Sequence, residues 1–140
     1  MGSSLQSIQE MVSKEGFNIR LDGDLGAGKT ALTRALLRGL GYSGRVRSPT
    51  FTLVEIYTFP EFQINHFDFY RFESPEEFDE AGFREYFGPG KVCITEWTEK
   101  AEPFVPEPDL LIKISIEGAG RSAEFFPLTT KADKFLKGLE

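Results

Sequence analysis

The chain has 140 residues, a length that predicts one domain, residues 1–140, with a single core that needs no crosslinks. Hydrophobic residues make up 40% and charged residues 27% of it, as in ordinary globular proteins, and no apolar run is long enough to span a membrane. The net charge of -6 disfavours tight, independent binding to nucleic acid, whose backbone requires basic surface.

Cysteine usage and the N-terminal segment predict a cytoplasmic location. The single cysteine, Cys93, cannot form an internal disulfide, and the apolar stretch KVCIT around it is typical of a buried thiol in a reducing compartment. The opening MGSSLQSIQEMV has neither the basic region nor the long apolar segment of a signal peptide.

The first part of the chain predicts a helix, a strand, a glycine-rich loop and a second helix. Apolar residues recur at helical spacing over residues 5–15, and Gly16 ends this helix before the alternating strand FNIRLDG. After the glycine-rich loop, apolar residues from Ala31 to Leu40 form one stripe of a second helix that ends at Gly41. This order of elements is the one in which phosphate-binding loops occur.

The middle of the chain predicts an antiparallel hairpin followed by a short helix. Two strand-like runs, 51–57 and 62–68, are joined by a short turn that contains Pro60. Ser74, with proline after it and glutamate three residues later, is typical of the start of a helix, which we expect to end near Gly82.

The last part predicts three more strands and a terminal helix. The apolar run KVCITEW is a strand, and a proline-rich connection at 103–108 leads to a second hairpin, LLIKISI and RSAEFF, which turns through EGAG. A helix over 131–139 closes the chain. The expected sheet is therefore mixed, with parallel and antiparallel pairs.

The segment GDLGAGKT matches the phosphate-loop pattern G-x-x-x-x-G-K-[ST] without a gap. In such loops, backbone N–H groups and the helix N-terminus donate to phosphate oxygens, Lys29 adds a positive charge, and Thr30 offers its hydroxyl to Mg²⁺. The residues predicted to bind the nucleotide in this segment are Gly23, Asp24, Leu25, Gly26, Ala27, Gly28, Lys29, Thr30 and Ala31.

Two predicted strands end in carboxylates. Ligands of open α/β sheets lie beyond the carboxyl ends of the strands, where Asp68 follows FQINHF and Glu96 follows KVCIT. Each could be an ordinary polar strand end, but beside a phosphate loop they are typical of a metal-organising and a water-positioning acid. Lys29, Asp68 and Glu96 are thus the predicted catalytic residues, and Thr30, Asp68 and Glu96 form the predicted metal site.

Three further residues have positions that suggest a role. Thr50 lies where many P-loop proteins place a residue that senses the terminal phosphate, although Pro49 could equally mark a strand-entry turn. Trp97 follows Glu96 and is either a core residue or a neighbour of the nucleotide. His66 alternates onto the same strand face as Asp68, which favours a structural or orienting role over catalysis.

Two other P-loop classes fit the sequence less well. DEAG at 79–82 and TKAD at 130–133 match GTPase motifs, but the first lies inside a predicted helix and only seven residues follow the second. A small P-loop kinase remains an alternative, yet it needs a second substrate pocket and a basic lid, and no Arg-rich lid segment stands out.

Over residues 17–115 the chain resembles the bacterial TsaE (YjeE) ATPases in four motifs that occur in the same order. These motifs are GDLGAGKT, SPTFTLV, HFDFYR and ITEW. The resemblance implies one P-loop NTPase-like α/β sandwich with a mixed sheet, and weak, Mg²⁺-dependent hydrolysis of bound ATP. It also implies a complex with the TsaB and TsaD proteins, which carry the tRNA and form N6-threonylcarbamoyladenosine (t6A) beside the anticodon, so that the chain meets tRNA only indirectly and no membrane.

The resemblance also implies residue roles, and the chain departs from the family pattern at the residue after the phosphate-loop threonine. Many family members have a second hydroxyl residue after the phosphate-loop threonine, where this chain has Ala31, and a lost neutral hydrogen bond would weaken nucleotide binding by roughly 0.5–1.5 kcal/mol. The implied roles are phosphate binding by Lys29, Mg²⁺ coordination by Thr30, metal organisation by Asp68, positioning of water by Glu96, sensing of the terminal phosphate by Thr50, and proximity of Trp97 to the nucleotide.

The sequence leaves two functions open. The first is an ATPase that transfers phosphate to water, and the second is a nucleotide-gated binding module in which ATP orders residues 44–51 for a partner. Direct tRNA binding through a local patch of Arg38, Arg45 and Arg47 is disfavoured by the acidic net charge.

Overall fold

The computed structural model of the chain describes residues 2–23, 28–118 and 120–138, with side chains from residue 6 onward in those ranges. The α-helices of this part of the chain are α1 (Gly2–Glu15), α2 (Lys29–Gly39), α3 (Glu77–Glu80) and α4 (Thr130–Gly138), with short 3-10 helices at Phe83–Tyr86 and Thr98–Ala101. The strands are β1 (Phe17–Asp22), β2 (Val54–Thr58), β3 (Gln63–Asp68), β4 (Lys91–Glu96), β5 (Leu110–Glu117) and β6 (Gly120–Pro127).

The strands form one six-stranded sheet in the order β2-β3-β4-β1-β5-β6. The four central strands pair in parallel, while β2 and β6 pair antiparallel with β3 and β5 at the two edges. The predicted mixed sheet and both predicted hairpins are therefore confirmed. In the β3–β4 register, Asp68 lies opposite Glu96, so the two predicted carboxylates end neighbouring strands at the same edge of the sheet.

Each face of the sheet is covered by its own apolar cluster, because side chains alternate between the faces. One cluster includes residues of α1, α2 and α4, and in it the rings of Phe17 and Phe135 stack with centroids 4.4 Å apart. The other cluster lies on the opposite side of β3 and β4 and is rich in phenylalanine, with Phe67, Phe69 and Phe83 at its centre. Burial of this kind stabilises by about 25 cal/mol per Å² of apolar surface.

Two predicted elements are shorter in the structure. The strand expected from residue 51 begins at Val54, because the N–H of Leu53 donates to the Pro49 carbonyl at 2.8 Å and closes a turn. The helix expected from Ser74 begins at Glu77, whose carboxylate accepts the Ser74 N–H at 2.9 Å. The predicted glutamate contact thus forms, but it closes a turn ahead of α3. Among the helices of the described ranges, none is long and apolar enough to cross a membrane.

Candidate functional site

A cavity of about 280 Å³ opens at the carboxyl ends of β3 and β4, next to the start of α2. The sheet order explains this position, since parallel neighbours present their carboxyl ends at one edge. The cavity brings together predicted site residues from the phosphate loop, the α2–β2 connection and two strand ends. Its lining residues are Gly28, Lys29, Thr30, Ser48, Thr50, Asp68 and Glu96.

The described part of the phosphate loop holds a backbone conformation that requires glycine. Gly28 precedes α2 with φ 94°, in the left-handed region, and its carbonyl accepts the N–H of Leu32 at 3.0 Å. A Cβ added at Gly28 would lie 2.8 Å from Cδ of Arg121, so this side chain lies directly against the loop. The predicted nucleotide-binding residues Asp24, Leu25, Gly26 and Ala27 lie outside the described residues.

Glu96 is held between a lysine and a histidine. Nζ of Lys29, a side chain only 6% exposed, lies 3.7 Å from Oε1 of Glu96 and donates to the Gly23 carbonyl at 2.9 Å. Oε2 of Glu96 lies 2.5 Å from Nε2 of His66, which is fully buried. Nδ1 of His66 has no hydrogen-bond partner among the described residues. The carboxylate is therefore oriented from both sides by groups that can carry positive charge or donate hydrogen bonds.

Asp68 lies beside Glu96 at the end of the neighbouring strand and joins the α2–β2 connection to the sheet. One carboxylate oxygen accepts the N–H of Tyr70 at 2.9 Å, and the other accepts the hydroxyl of Thr50 at 3.3 Å. The Thr50 hydroxyl also lies 2.9 Å from that of Ser48. Burial raises the pKa of Asp68, and the charge of Glu96 adds to this effect, while the hydrogen bond from Tyr70 opposes it.

Trp97 lies beside the phosphate loop and does not line this cavity. Its φ of 55° is in the left-handed region, and its ring lies 4.7 Å from Nζ of Lys29 and 5.0 Å from the ring of Tyr70. A second cavity, of about 200 Å³, borders Trp97 on the side of Gly23 and Asp22. Trp97 therefore lies at the phosphate-loop end of the sheet, in contact with Lys29 on one side and with this second cavity on the other.

Comparison with known proteins identifies the family. The family model for the threonylcarbamoyl adenosine biosynthesis protein TsaE matches residues 2–123. The chain belongs to the TsaE family. It is 44% identical to the tRNA threonylcarbamoyladenosine biosynthesis protein TsaE of Haemophilus influenzae, over 87% of this chain and 77% of that protein. Identity to the protein of the same name from Bacillus subtilis is 40%, over 82% of this chain and 72% of that protein.

The fold of a solved structure agrees with this assignment. The chain is similar to the crystal structure of Bacillus subtilis YdiB, with a TM-score of 0.67 and 28% sequence identity, over 99% of this chain and 87% of that chain. This likeness confirms the predicted P-loop NTPase-like α/β fold with a mixed sheet. The roles predicted for individual residues stay predictions. The geometry of the cavity shows which of these residues lie close enough together to act on one ligand.

The structure places two residues at the site that were not predicted from the sequence. Ser48 lines the cavity and contacts Thr50, and a signal for it existed, because it is a second hydroxyl two positions before the predicted sensor. Arg121 lies against Gly28 from the start of β6. No local signal in the sequence could place Arg121 there, since the two residues meet only through the sheet order.

Residues of the disfavoured interpretations do not line the cavity. Asp79 of the first GTPase match lies in α3, and Asp133 of the second lies in the first turn of α4. Arg38 of the proposed basic patch donates to the carbonyls of Tyr42 and Gly44 at 2.9 and 2.8 Å, so its guanidinium stabilises the end of α2.

The donor set at the cavity fits Mg²⁺. Within the described ranges, no group of three or more His, Cys, Asp or Glu side chains is placed to hold a metal ion. Mg²⁺ is usually bound through one or two carboxylates together with substrate phosphates and water, so a complete protein cage is not expected. Asp68, Glu96 and the hydroxyl of Thr30 supply hard oxygen ligands of the kind that Mg²⁺ prefers.

Proposed function

We propose that this protein is a Mg²⁺-dependent ATPase that supports formation of t6A in tRNA, working in the cytoplasm in a complex with TsaB and TsaD. Family membership supports the pathway. The observation that carries the ATPase proposal is the cavity in which Lys29, Thr50, Asp68 and Glu96 converge from separate segments of the chain. This combination of a phosphate-loop lysine, a hydroxyl and two strand-end carboxylates is what hydrolysis of a nucleoside triphosphate requires.

Binding is assigned to the phosphate-loop side of the cavity. Residues 23–31 would surround the phosphates, with Lys29 as the charged contact, and Thr30, Asp68 and Glu96 would hold Mg²⁺. When bound, Mg²⁺ supplies neutralisation of the phosphate charge. The ammonium of Lys29 contacts a carbonyl and a carboxylate at 2.9 and 3.7 Å, so phosphate oxygens would replace or share these contacts.

Hydrolysis is assigned to the carboxylate side. Glu96 would orient the attacking water and accept its hydrogen bond, since one of its oxygens faces the lysine side of the cavity and the other is bound by His66. His66 has no exposed surface and would therefore act through Glu96. Thr50 would contact the terminal phosphate, and its hydroxyl is aimed by Ser48 and Asp68.

The test is steady-state phosphate release from ATP and from GTP, first with the protein alone and then with TsaB, TsaD and tRNA. We expect slow ATP hydrolysis that changes when the partners are added, with much weaker GTP hydrolysis. Lys29→Ala should abolish the activity, and Glu96→Gln should lower turnover by ~100-fold or more while nucleotide still binds. Glu80→Gln, which alters an exposed glutamate on α3, is the matched control and should leave turnover unchanged.

A nucleotide-gated binding module is the second candidate function, and one observation favours it. The α2–β2 connection reaches the cavity through Ser48 and Thr50, and the next residue, Phe51, is 79% exposed. An apolar side chain presented beside a sensing hydroxyl is suited to bind a partner in one nucleotide state only. The test is binding of TsaB and TsaD with and without ATP. Binding that requires ATP, and that Lys29→Ala abolishes, would favour this candidate over the ATPase if no phosphate is released.

A further inference from the structure

The connection between α2 and β2 brings two hydroxyls to the cavity without regular secondary structure. Residues 40–53 contain no strand and no α-helix beyond the end of α2, and most side chains from residue 43 to residue 48 are exposed. Segments with few buried contacts open easily. Ser48 and Thr50 nevertheless need a fixed position to meet a phosphate, so the contacts that hold this connection determine whether the site is preorganised.

Tyr57 supplies a two-point contact to this connection from the sheet. Burial along β2 is deepest at Tyr57, which is only 3% exposed. Its hydroxyl accepts the N–H of Arg47 at 3.0 Å and donates to the carbonyl of the same residue at 3.2 Å. Burial raises the pKa of Tyr57, so the hydroxyl retains the proton that the second bond needs.

Aromatic packing holds the ring of Tyr57 in place. The ring meets that of Tyr42 edge to face at 5.1 Å, and Tyr42 in turn contacts Phe59 at 5.8 Å. Phe59 stacks on Phe62 at 4.6 Å, at the other end of the β2–β3 hairpin. The hydroxyl of Tyr57 is thus presented by a packed ring and makes two hydrogen bonds, whereas the hydroxyl of Tyr42 donates one long hydrogen bond, of 3.5 Å, to the Arg45 carbonyl.

The contact at Arg47 is immediately followed by the residues that reach the cavity. Ser48 comes next in the chain, its hydroxyl lies 2.9 Å from that of Thr50, and Thr50 donates to Asp68 at 3.3 Å. The far end of the connection is held by the N–H of Asp68, which donates to the Leu53 carbonyl at 3.0 Å. Residues 47–53 are therefore attached to the sheet at both ends, by Tyr57 at one and by the backbone of β3 at the other.

We propose that Tyr57 is a positioning residue for the nucleotide reaction: its hydroxyl holds the backbone at Arg47 so that Ser48 and Thr50 face the terminal phosphate. This inference rests on the proposed function. Tyr57 does not line the cavity and acts only through the connection. A phenylalanine at this position retains the ring packing and removes both hydrogen bonds, which makes Tyr57→Phe a specific perturbation.

The first measurement compares Tyr57→Phe with Tyr42→Phe in steady-state ATP hydrolysis. We expect Tyr57→Phe to lower kcat about tenfold, equivalent to about 1.4 kcal/mol in the barrier, and to raise KM about fivefold, because KM follows the dissociation constant of ATP when turnover is slow. Tyr42→Phe removes a hydroxyl from the same aromatic group and should change kcat less than twofold. Equal effects of the two substitutions, or no effect of Tyr57→Phe, would overturn the proposal.

A mutant cycle tests whether Tyr57 acts through the hydroxyls of Ser48 and Thr50. In a Ser48→Ala/Thr50→Val background, Tyr57→Phe should lower kcat by less than a further twofold, because both hydroxyls that it positions are already absent. A merely structural role would give independent effects, in which the full tenfold loss repeats in that background. Thermal unfolding followed by circular dichroism should confirm that each variant is folded at the assay temperature.

A binding measurement separates failure of this proposal from failure of the ATPase proposal. The ratio of ATP to ADP affinity with Mg²⁺ reports terminal-phosphate contacts without any turnover. We expect Tyr57→Phe to lower ATP affinity about fivefold and to leave ADP affinity unchanged. If the unmodified protein releases no phosphate, the ATPase proposal fails and this ratio still tests Tyr57. If Tyr57→Phe leaves the ratio unchanged, or if the unmodified protein shows no preference for ATP, the positioning role is wrong.

Discussion

Replacing Asp68 with asparagine should stabilise the fold and remove the proposed Mg²⁺-dependent ATPase activity. Asp68 is 4% exposed, and its carboxylate lies in the same cavity as that of Glu96. Burial raises the pKa of Asp68, so the folded state favours the neutral form of this group more than the unfolded state does. Asparagine imitates the neutral form in shape and removes the buried charge.

The size of the effect follows from the contacts of Asp68. The side-chain oxygen of asparagine can still accept the Tyr70 N–H, and the amide group can donate to the Thr50 hydroxyl, so both positions stay satisfied. Each of these bonds weakens by about 1 kcal/mol on loss of the charge. Removing an imperfectly compensated buried charge returns several kcal/mol, so we expect a net gain of about 1 kcal/mol in the free energy of unfolding. For a domain of this size the gain corresponds to a rise in Tm of about 3 °C.

The pH dependence of this gain has a definite sign. The raised folded-state pKa means that ionisation of Asp68 destabilises the fold, and this penalty appears as the pH rises through the carboxyl range. The stability difference between Asp68→Asn and the unmodified protein should therefore be present at neutral pH. It should shrink as the pH falls through the raised folded-state pKa and vanish below the unfolded-state pKa of about 4, where Asp68 is protonated in both states.

Urea unfolding followed by circular dichroism at neutral and acid pH measures this difference directly, and phosphate release measures the loss of activity. Asp133→Asn is the control, because it removes an exposed acid from the first turn of α4, where negative charge is favourable, and should destabilise slightly. Loss of stability in Asp68→Asn at neutral pH, or a gain that does not depend on pH, would refute the reasoning. Retained Mg²⁺-dependent turnover would refute the assigned metal role.

The remaining predictions concern the phosphate loop, the histidine and the cysteine. Gly28→Ala should destabilise the fold by ~1–2 kcal/mol and weaken ATP binding, because Gly28 has φ 94° and the new Cβ would meet Arg121; melting and calorimetric titration check this. His66→Asn should lower kcat about tenfold with little change in KM, since Glu96 loses an orienting contact, and an unchanged kcat would contradict that role. Burial raises the pKa of Cys93 to about 12, so a thiol reagent should modify the unfolded protein rapidly and the native protein very slowly at mildly alkaline pH.

The fold and the main site residues could be predicted because their signals are local. A phosphate loop is defined by consecutive residues, and the order of strand, loop and helix around Lys29 is visible in the sequence. Asp68 and Glu96 could be predicted from the sequence for a different reason. Both follow apolar runs, and the rule that ligands lie at the carboxyl ends of parallel strands predicts their proximity, which the β3–β4 register confirms.

The contacts between the site residues could not be predicted from the sequence in the same way. That Glu96 contacts His66 and Lys29 depends on the pairing of β3 with β4 and on the position of α2 beside them. The role of Tyr57 is hidden for a similar reason, since its hydroxyl meets a backbone ten residues away in a connection without regular structure. Local patterns specify elements and strand ends, whereas these contacts depend on how the elements pack.

The electrostatics of the cavity link its stability to its ligands. Asp68 and Glu96 are 4% and 5% exposed, and Lys29 lies 3.7 Å from only one of them. Burial, with a further contribution from the charge of Glu96, raises the pKa of Asp68, and a positive charge bound between the carboxylates would favour its ionised form, so Mg²⁺ bound there should stabilise the fold more at neutral pH than at acid pH. The buried charge of Asp68, which destabilises the unliganded cavity, thus becomes the group through which a bound cation stabilises the fold.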